Sequence, residues 1–132
     1  MARASSAVAL LAALLVAAGC GTPPPPKKDV YSLGPTRKCL VRAGVHVTTR
    51  VKDFVASTAP AGALQGVVRR KPFTISFGDT KEQARRMAAA YRRLTNNKKR
   101  LRSLLDPEGN AVILWTTEPL PRDADLVRAC LS

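Results

Sequence analysis

Acidic side chains, histidine and aromatic residues are scarce in this chain of 132 residues. It holds nine Asp and Glu residues, one histidine and 5% aromatic residues. The carboxylates occur singly at turn and capping positions, so no pair has a spacing that favours glycoside hydrolysis or metal binding. His46 stands alone in an extended segment, and neither a G-x-S-x-G sequence nor a phosphate-binding glycine pattern is present. We therefore predict that the protein is not an enzyme and holds no metal or cofactor.

The chain also lacks an apolar run long enough to cross a membrane. Its most apolar segment, residues 4–20, falls short of the roughly 20 residues that span a hydrocarbon core, and two serines interrupt it. Arg3 precedes this segment and small side chains occupy residues 17–19, which is the pattern of a secretory signal peptide. We predict a signal peptide over residues 1–19 and export from the cytoplasm.

Cys20 directly follows these small residues. A run of small residues ending in cysteine resembles the lipobox of bacterial lipoproteins. The resemblance implies that the Cys20 sulfur receives a diacylglycerol and that cleavage leaves Cys20 as the first residue, anchored on the extracytoplasmic side of the cell membrane. The lipobox favours Leu three residues before the cysteine, where this chain has Ala17, so ordinary cleavage and free secretion stay the alternative.

Four consecutive prolines, Pro23–Pro26, follow the predicted lipidation site. Each proline fixes φ near the polyproline value and removes a backbone donor, so this segment forms neither a helix nor a paired strand. We predict that residues 20–35 are a lipidated N-terminus and a stiff spacer. A disordered N-terminus without a spacing role has the same composition.

Cys39 and Cys130 lie near opposite ends of the remaining sequence, residues 36–132, which we predict to be a single domain. A domain of this size buries a modest core, and exported proteins keep disulfides oxidised. If Cys20 carries lipid, the other two cysteines form an even pair, and we predict a disulfide between them. The alternative is two separately buried thiols.

Helix and strand patterns alternate along this domain. Ala63–Val68 and Phe73–Phe77 have the pattern of a hairpin, and the apolar run Ala111–Thr117 is typical of a buried strand. Between them, a helix beginning at Asp79 or Thr80 carries an apolar stripe. We expect this stripe to cover the face of the hairpin that carries Phe73, Ile75 and Phe77. A strand, helix, strand order predicts a right-handed crossover between parallel neighbours. Shorter patterns predict a helix over residues 37–43 that Thr36 caps and a helix over residues 123–131. Proline and glycine together predict a turn over residues 106–110.

We therefore predict an α+β domain: a small two-layer sandwich of a mixed sheet with helices on one face, stapled by one disulfide. Trp115 lies within the predicted central strand, which favours a packing role over ligand stacking. The order of elements resembles that of small, uncharacterised actinobacterial lipoproteins, a resemblance that brings no catalytic motif with it.

Positive charge dominates the composition, with a formal net charge of +13. Residues 69–102 hold twelve Lys and Arg against two acidic residues. Arginines recur seven residues apart on one side of the predicted helix. We predict an anion-binding surface made of Arg69, Arg70, Lys71, Arg85, Arg86, Arg92 and Arg93. The alternative is a solvated helix face in an arginine-rich proteome.

The partners follow from the charge and the predicted compartment. Nucleic acid is disfavoured, because the protein is exported and no aromatic residues interleave the basic ones. We predict a lipid-anchored extracytoplasmic binding or structural module of the bacterial cell envelope, held to membrane lipid through Cys20 and facing anionic headgroups or cell-wall polymers. The alternative is a freely secreted basic protein that binds the same polyanions.

Overall fold

A computed structural model describes residues 29–132 of the chain. The predicted signal peptide, Cys20 and the polyproline segment lie outside the described residues. The helices are α1 (Leu33–Arg42), α2 (Phe54–Ser57), α3 (Lys81–Leu94), α4 (Lys98–Leu104) and α5 (Pro121–Ala129). The strands are β1 (His46–Thr48), β2 (Ala63–Val68), β3 (Lys71–Phe77), β4 (Leu105–Glu108) and β5 (Ala111–Trp115).

The five strands form one sheet in the order β1-β2-β3-β5-β4, and every neighbouring pair is antiparallel. The predicted α+β class is confirmed, whereas the predicted mixed sheet is wrong. Ile75 of β3 pairs with Ile113 of β5 in opposite directions. The crossover through α3 and α4 leads from β3 to β4, and a tight hairpin then returns β5 into the space between them. Strand β4 therefore runs parallel to β3, but β5 lies between the two strands.

Strand β4 occupies residues that the sequence pattern assigned to a turn. Pro107 lies opposite Val112 on this edge strand, where a missing N–H costs no interior hydrogen bond. The turn itself is only Gly109-Asn110, and Gly109 adopts a φ of 55°. Proline and glycine were both signals of a turn, but only glycine occupies one.

Helices cover both faces of the sheet, so the prediction of two layers with helices on one face is also wrong. Successive residues of a strand point to opposite faces. Phe73, Ile75 and Phe77 of β3 are buried in one cluster with side chains of α1 and α5. Ser76 lies on the other face, where its hydroxyl is 3.4 Å from that of Tyr91 in α3. Helix α3 therefore packs against the face opposite to the one its apolar stripe was expected to cover.

The predicted disulfide between Cys39 and Cys130 is confirmed, with Cα atoms 5.2 Å apart. It joins α1 to the C-terminal end of α5. Thr36, which we expected to cap α1, lies buried inside that helix, because α1 begins earlier, at Leu33. The Thr36 hydroxyl instead accepts a hydrogen bond of 3.2 Å from the Ser132 N–H. Both contacts hold the last residues of the domain against α1.

Asn110 fastens the incoming chain to the sheet, although its side chain is only 1% exposed. Its Oδ1 accepts from the Tyr31 N–H at 2.5 Å, and its Nδ2 donates to the Tyr31 and Gly78 carbonyls at 2.9 and 2.6 Å. The Asn110 N–H donates to the Asp29 carbonyl. Residues 29–32, which the sequence pattern assigned to the spacer, therefore contact the domain at the end of the sheet where β3 finishes.

A cationic groove between α3 and α4

Helices α3 and α4 each begin at a side-chain cap, and both lie in the basic stretch of the sequence. Thr80 caps α3 by accepting a hydrogen bond of 3.2 Å from the Gln83 N–H, as the sequence indicates. Asn97 caps α4 by accepting one of 2.9 Å from the Arg100 N–H. The polar connection over residues 95–97 therefore ends one helix and begins the next, and α4 runs from there into β4.

The end of α3 and the side of α4 enclose a groove of about 380 Å³. Arg92, Lys98 and Arg102 line it with exposed cationic side chains. Leu101, which is 8% exposed, and the half-buried Leu105 supply its apolar surface. Lys98, Leu101, Arg102 and Leu105 occupy positions i, i+3, i+4 and i+7, which places them on one side of the chain as it leaves α4. The groove therefore combines three positive charges with an apolar wall.

No carboxylate offsets these charges locally. Residues 92–105 contain no Asp or Glu. Within the part of the chain that the structure describes, no ion pair involves Arg92, Lys98 or Arg102. Clustered like charges beside an apolar wall create a positive potential that attracts anions from solution. The groove is therefore a candidate anion site.

The carboxylates nearest in sequence are directed elsewhere. Arg128 of α5 lies 2.6 Å from Asp106, 3.1 Å from Asp125 and 3.6 Å from Glu108. The hydrogen bond to Asp106 is the main cause that raises the pKa of Arg128 above its usual range. These three acidic side chains therefore act on α5, and the groove keeps its positive charge.

The hairpin residues of the predicted anion-binding surface contact a different part of the domain. Arg69 and Arg70 form the two-residue turn between β2 and β3, with φ values of 46° and 65°. The Arg69 Nε lies 3.5 Å from Oδ1 of the buried Asp123, and the Lys71 ammonium donates to the Glu118 carbonyl at 2.5 Å. Arg69 and Lys71 therefore contact residues at the start of α5 or just before it.

The four helix arginines also separate. Arg85 and Arg86 both lie against Glu82 in the first turns of α3, at 3.4 and 3.5 Å. Arg92 reaches the groove, whereas the exposed Arg93 does not line it. The structure therefore brings only one of the seven predicted residues into the groove. Lys98 and Arg102 belong to the basic stretch of residues 69–102 but were left out of the predicted surface, although their spacing of four residues carries the signal once the segment is recognised as helical.

Trp115 is 2% exposed and packs against Phe73, with ring centroids 5.2 Å apart, which confirms the predicted core role. Across residues 29–132, no three His, Cys, Asp or Glu side chains come together as a metal-binding group. No helix in that range has the length and apolar character needed to span a membrane. No protein-family model, curated protein or solved structure matches the chain.

Proposed function

We propose that this protein is a lipid-anchored, extracytoplasmic module of the bacterial cell envelope that binds anionic envelope polymers in the groove between α3 and α4. The pattern of residues 1–20 supports the anchor. The observation that carries the binding role is the groove itself, where Arg92, Lys98 and Arg102 converge with no carboxylate among residues 92–105. Nothing in this role requires a chemical step.

The groove chemistry favours a polymer that alternates anionic groups with short carbon segments. The guanidinium groups of Arg92 and Arg102 each offer paired donors that match a phosphate or carboxylate, and Lys98 adds a point charge. Leu101 and Leu105 would contact the carbon atoms between two anionic groups. Because all three cations are exposed, salt should weaken this binding strongly.

A freely secreted protein with the same groove is the second candidate, favoured by Ala17 at the position where the lipobox prefers Leu. The two candidates differ at Cys20 alone. Intact mass of the protein matured in a bacterial host separates them, with Cys20→Ser measured beside the wild type. A mass beginning at Cys20 with a diacylglycerol increment, lost in the variant, supports the anchor. An unlipidated mature mass with both forms soluble would replace it with secretion.

Polymer binding is tested with a matched pair of triple variants. Arg92→Gln/Lys98→Gln/Arg102→Gln removes the groove charges, and the control Arg50→Gln/Lys52→Gln/Arg122→Gln removes three exposed charges that lie outside both the groove and α1. The probe is a poly(glycerol phosphate) oligomer, titrated at near-physiological salt, where exposed charges are screened beyond about 8 Å. We expect the groove variant to bind about tenfold more weakly and the control variant to bind like the wild type.

Equal weakening in both variants would show attraction by net charge alone and would overturn the groove as the site. Thermal unfolding of each variant establishes that the fold is unchanged, since all six substituted side chains are exposed. Replacing Arg85 and Arg86 offers a further control, because Glu82 already pairs with both.

A further inference from the structure

Helix α1 presents a second cationic surface, on the face of the sheet opposite to the groove. Its inner side is fixed in the core, where Leu40 and Thr36 are fully buried. Its outer side carries three exposed cations around Val41, which is 56% exposed. These cations are Arg37, Lys38 and Arg42.

The charges on α1 have no acidic neighbour on their own helix, since residues 33–42 contain no Asp or Glu. None of the ion pairs formed inside residues 29–132 includes them. Val30 lies shortly before the helix and is also 56% exposed. The outer side of α1 thus combines unpaired positive charge with exposed aliphatic side chains, the combination typical of elements that lie on anionic lipid surfaces.

The tether restricts which surfaces can be near the membrane. Asn110 holds Asp29 and Tyr31 against the sheet, so the chain is fixed to the domain from Asp29 onward. Even fully extended, the chain from Cys20 to Asp29 reaches only about 30 Å. That length is close to the diameter of a domain of this size, whose radius of gyration is about 13 Å. Helix α1 begins at Leu33 and is the first element after the tether.

We infer that the outer side of α1 rests on anionic phospholipid headgroups, and that this contact turns the groove between α3 and α4 away from the membrane. The inference rests on the proposed function only for the anchor at Cys20. Arg37, Lys38 and Arg42 bind headgroup phosphates, while Val41 lies at the boundary between headgroups and acyl chains. Since a diacylglycerol already holds the protein at the bilayer, the role of α1 is to set orientation.

The orientation has a direct consequence for the groove. Helix α1 contacts one face of the sheet and α3 the other. Layers that pack on a sheet lie about 10 Å from it, so the two cationic surfaces are separated by about 20 Å of protein. A membrane contact through α1 leaves the groove open to polymers on the far side.

The first test uses two tryptophan reporters on opposite faces. Val41→Trp places one on α1, and Leu94→Trp places the other at the end of α3, where Leu94 is 66% exposed. Each full chain, matured in a bacterial host, is reconstituted in phosphatidylglycerol vesicles with lipids brominated near the headgroups. We expect strong quenching for Val41→Trp and little for Leu94→Trp, after subtraction of the buried Trp115 signal of the wild type. Equal quenching, or the reverse order, would overturn the orientation.

The second test removes the anchor and measures the surface alone. In a Cys20→Ser background, Arg37→Gln/Lys38→Gln/Arg42→Gln should bind phosphatidylglycerol vesicles on the order of 100-fold more weakly, at about fivefold per cation. The control variant Arg50→Gln/Lys52→Gln/Arg122→Gln should bind these vesicles like its parent, and neither variant should bind pure phosphatidylcholine. Unchanged binding by the α1 variant would overturn the inference.

The outcomes of the two proposals are distinguishable. Failure of the groove site appears as unchanged poly(glycerol phosphate) binding by its triple variant, whereas failure of the α1 surface appears only with vesicles. A protein that self-associates through α1 instead would show a concentration-dependent mass in solution that the α1 substitutions abolish, and no lipid quenching.

Discussion

Arg69 and Asp123 form an ion pair that links the turn between β2 and β3 to the first turn of α5, with Nε and Oδ1 3.5 Å apart. The Arg69 side chain is half exposed, whereas that of Asp123 is 1% exposed. Among the described residues, the second oxygen of Asp123 has no hydrogen-bond partner. The α5 N-terminus also favours a negative charge at this position. Arg69 is therefore the one cation that offsets a buried carboxylate.

We expect Arg69→Gln to destabilise the domain by about 1–2 kcal/mol, less than for a fully buried pair because Arg69 is half exposed. Urea unfolding measures the change. In an Asp123→Asn background, which has no buried charge to offset, the same substitution should cost less than 0.5 kcal/mol, a surface-sized effect. An identical cost in both backgrounds would show that the two side chains do not interact.

Reduction of the Cys39–Cys130 disulfide should lower the free energy of unfolding by about 2–5 kcal/mol. The bond closes a loop with a sequence separation of 91, and long loops lose the most chain entropy when they are cross-linked. Urea unfolding of Cys130→Ala against the wild type gives the magnitude, and Cys20→Ser serves as the control that leaves the loop closed. The wild type should also migrate faster on a non-reducing gel than on a reducing one.

Asn110→Ala should destabilise the domain by about 3 kcal/mol, because it removes three side-chain hydrogen bonds and leaves the buried Gly78 carbonyl without its 2.6 Å donor. The effect should be visible as faster amide exchange of Tyr31, whose N–H loses its acceptor. Ser103→Ala, on the exposed side of α4, is a matched control that should change neither quantity. Unchanged amide exchange at Tyr31 would show that Asn110 does not hold this residue against the sheet.

Tyr91 should make stability fall in alkaline solution. The Tyr91 hydroxyl donates a hydrogen bond to Asp53 Oδ1, with the two oxygens 2.7 Å apart. Burial, and to a smaller extent this carboxylate, raises the pKa of Tyr91 above its ordinary value of about 10. The folded state therefore favours the neutral phenol. Its contribution is complete below pH 10 and is lost as the pH rises from there toward the folded-state pKa.

The free energy of unfolding of the wild type should therefore decrease above pH 10 by up to about 1.4 kcal/mol per pH unit relative to Tyr91→Phe. At neutral pH, Tyr91→Phe should be about 1 kcal/mol less stable than the wild type, because it loses the hydrogen bond to Asp53. Parallel curves for the two proteins across the alkaline range would show that Tyr91 does not titrate with unfolding.

Local signals predicted individual elements well. The hydroxyl of Thr80 and the apolar stripe through Met87 and Tyr91 are properties of one helix, so the neighbouring sequence is sufficient to identify α3. The pairing of Cys39 with Cys130 followed from counting cysteines in a chain predicted to be exported. Both predictions depend on few partners, which is why they hold.

Predictions about which elements pack against one another did not hold. Alternation along β3 shows that Ile75 and Ser76 face opposite ways, but it does not say which helix covers either face. Pro107 suggested a turn because the edge position that tolerates it depends on β5, later in the chain. The groove was missed for a similar reason, since Arg92 and Lys98 come from different helices and meet only through the bend between them.

In the proposed function the protein is held both at Cys20 and by a groove-bound polymer, and the covalent link between α1 and α5 would then carry mechanical load. Tension entering at Asp29 passes along α1 to Cys39, where it divides between the chain that continues through β1 and the chain that returns from Cys130 through α5. The two routes meet again at α4, so they form a closed ring that shares the load. Under tension, the residues between Cys39 and α4 could not extend unless the residues between α4 and Cys130 unfolded as well.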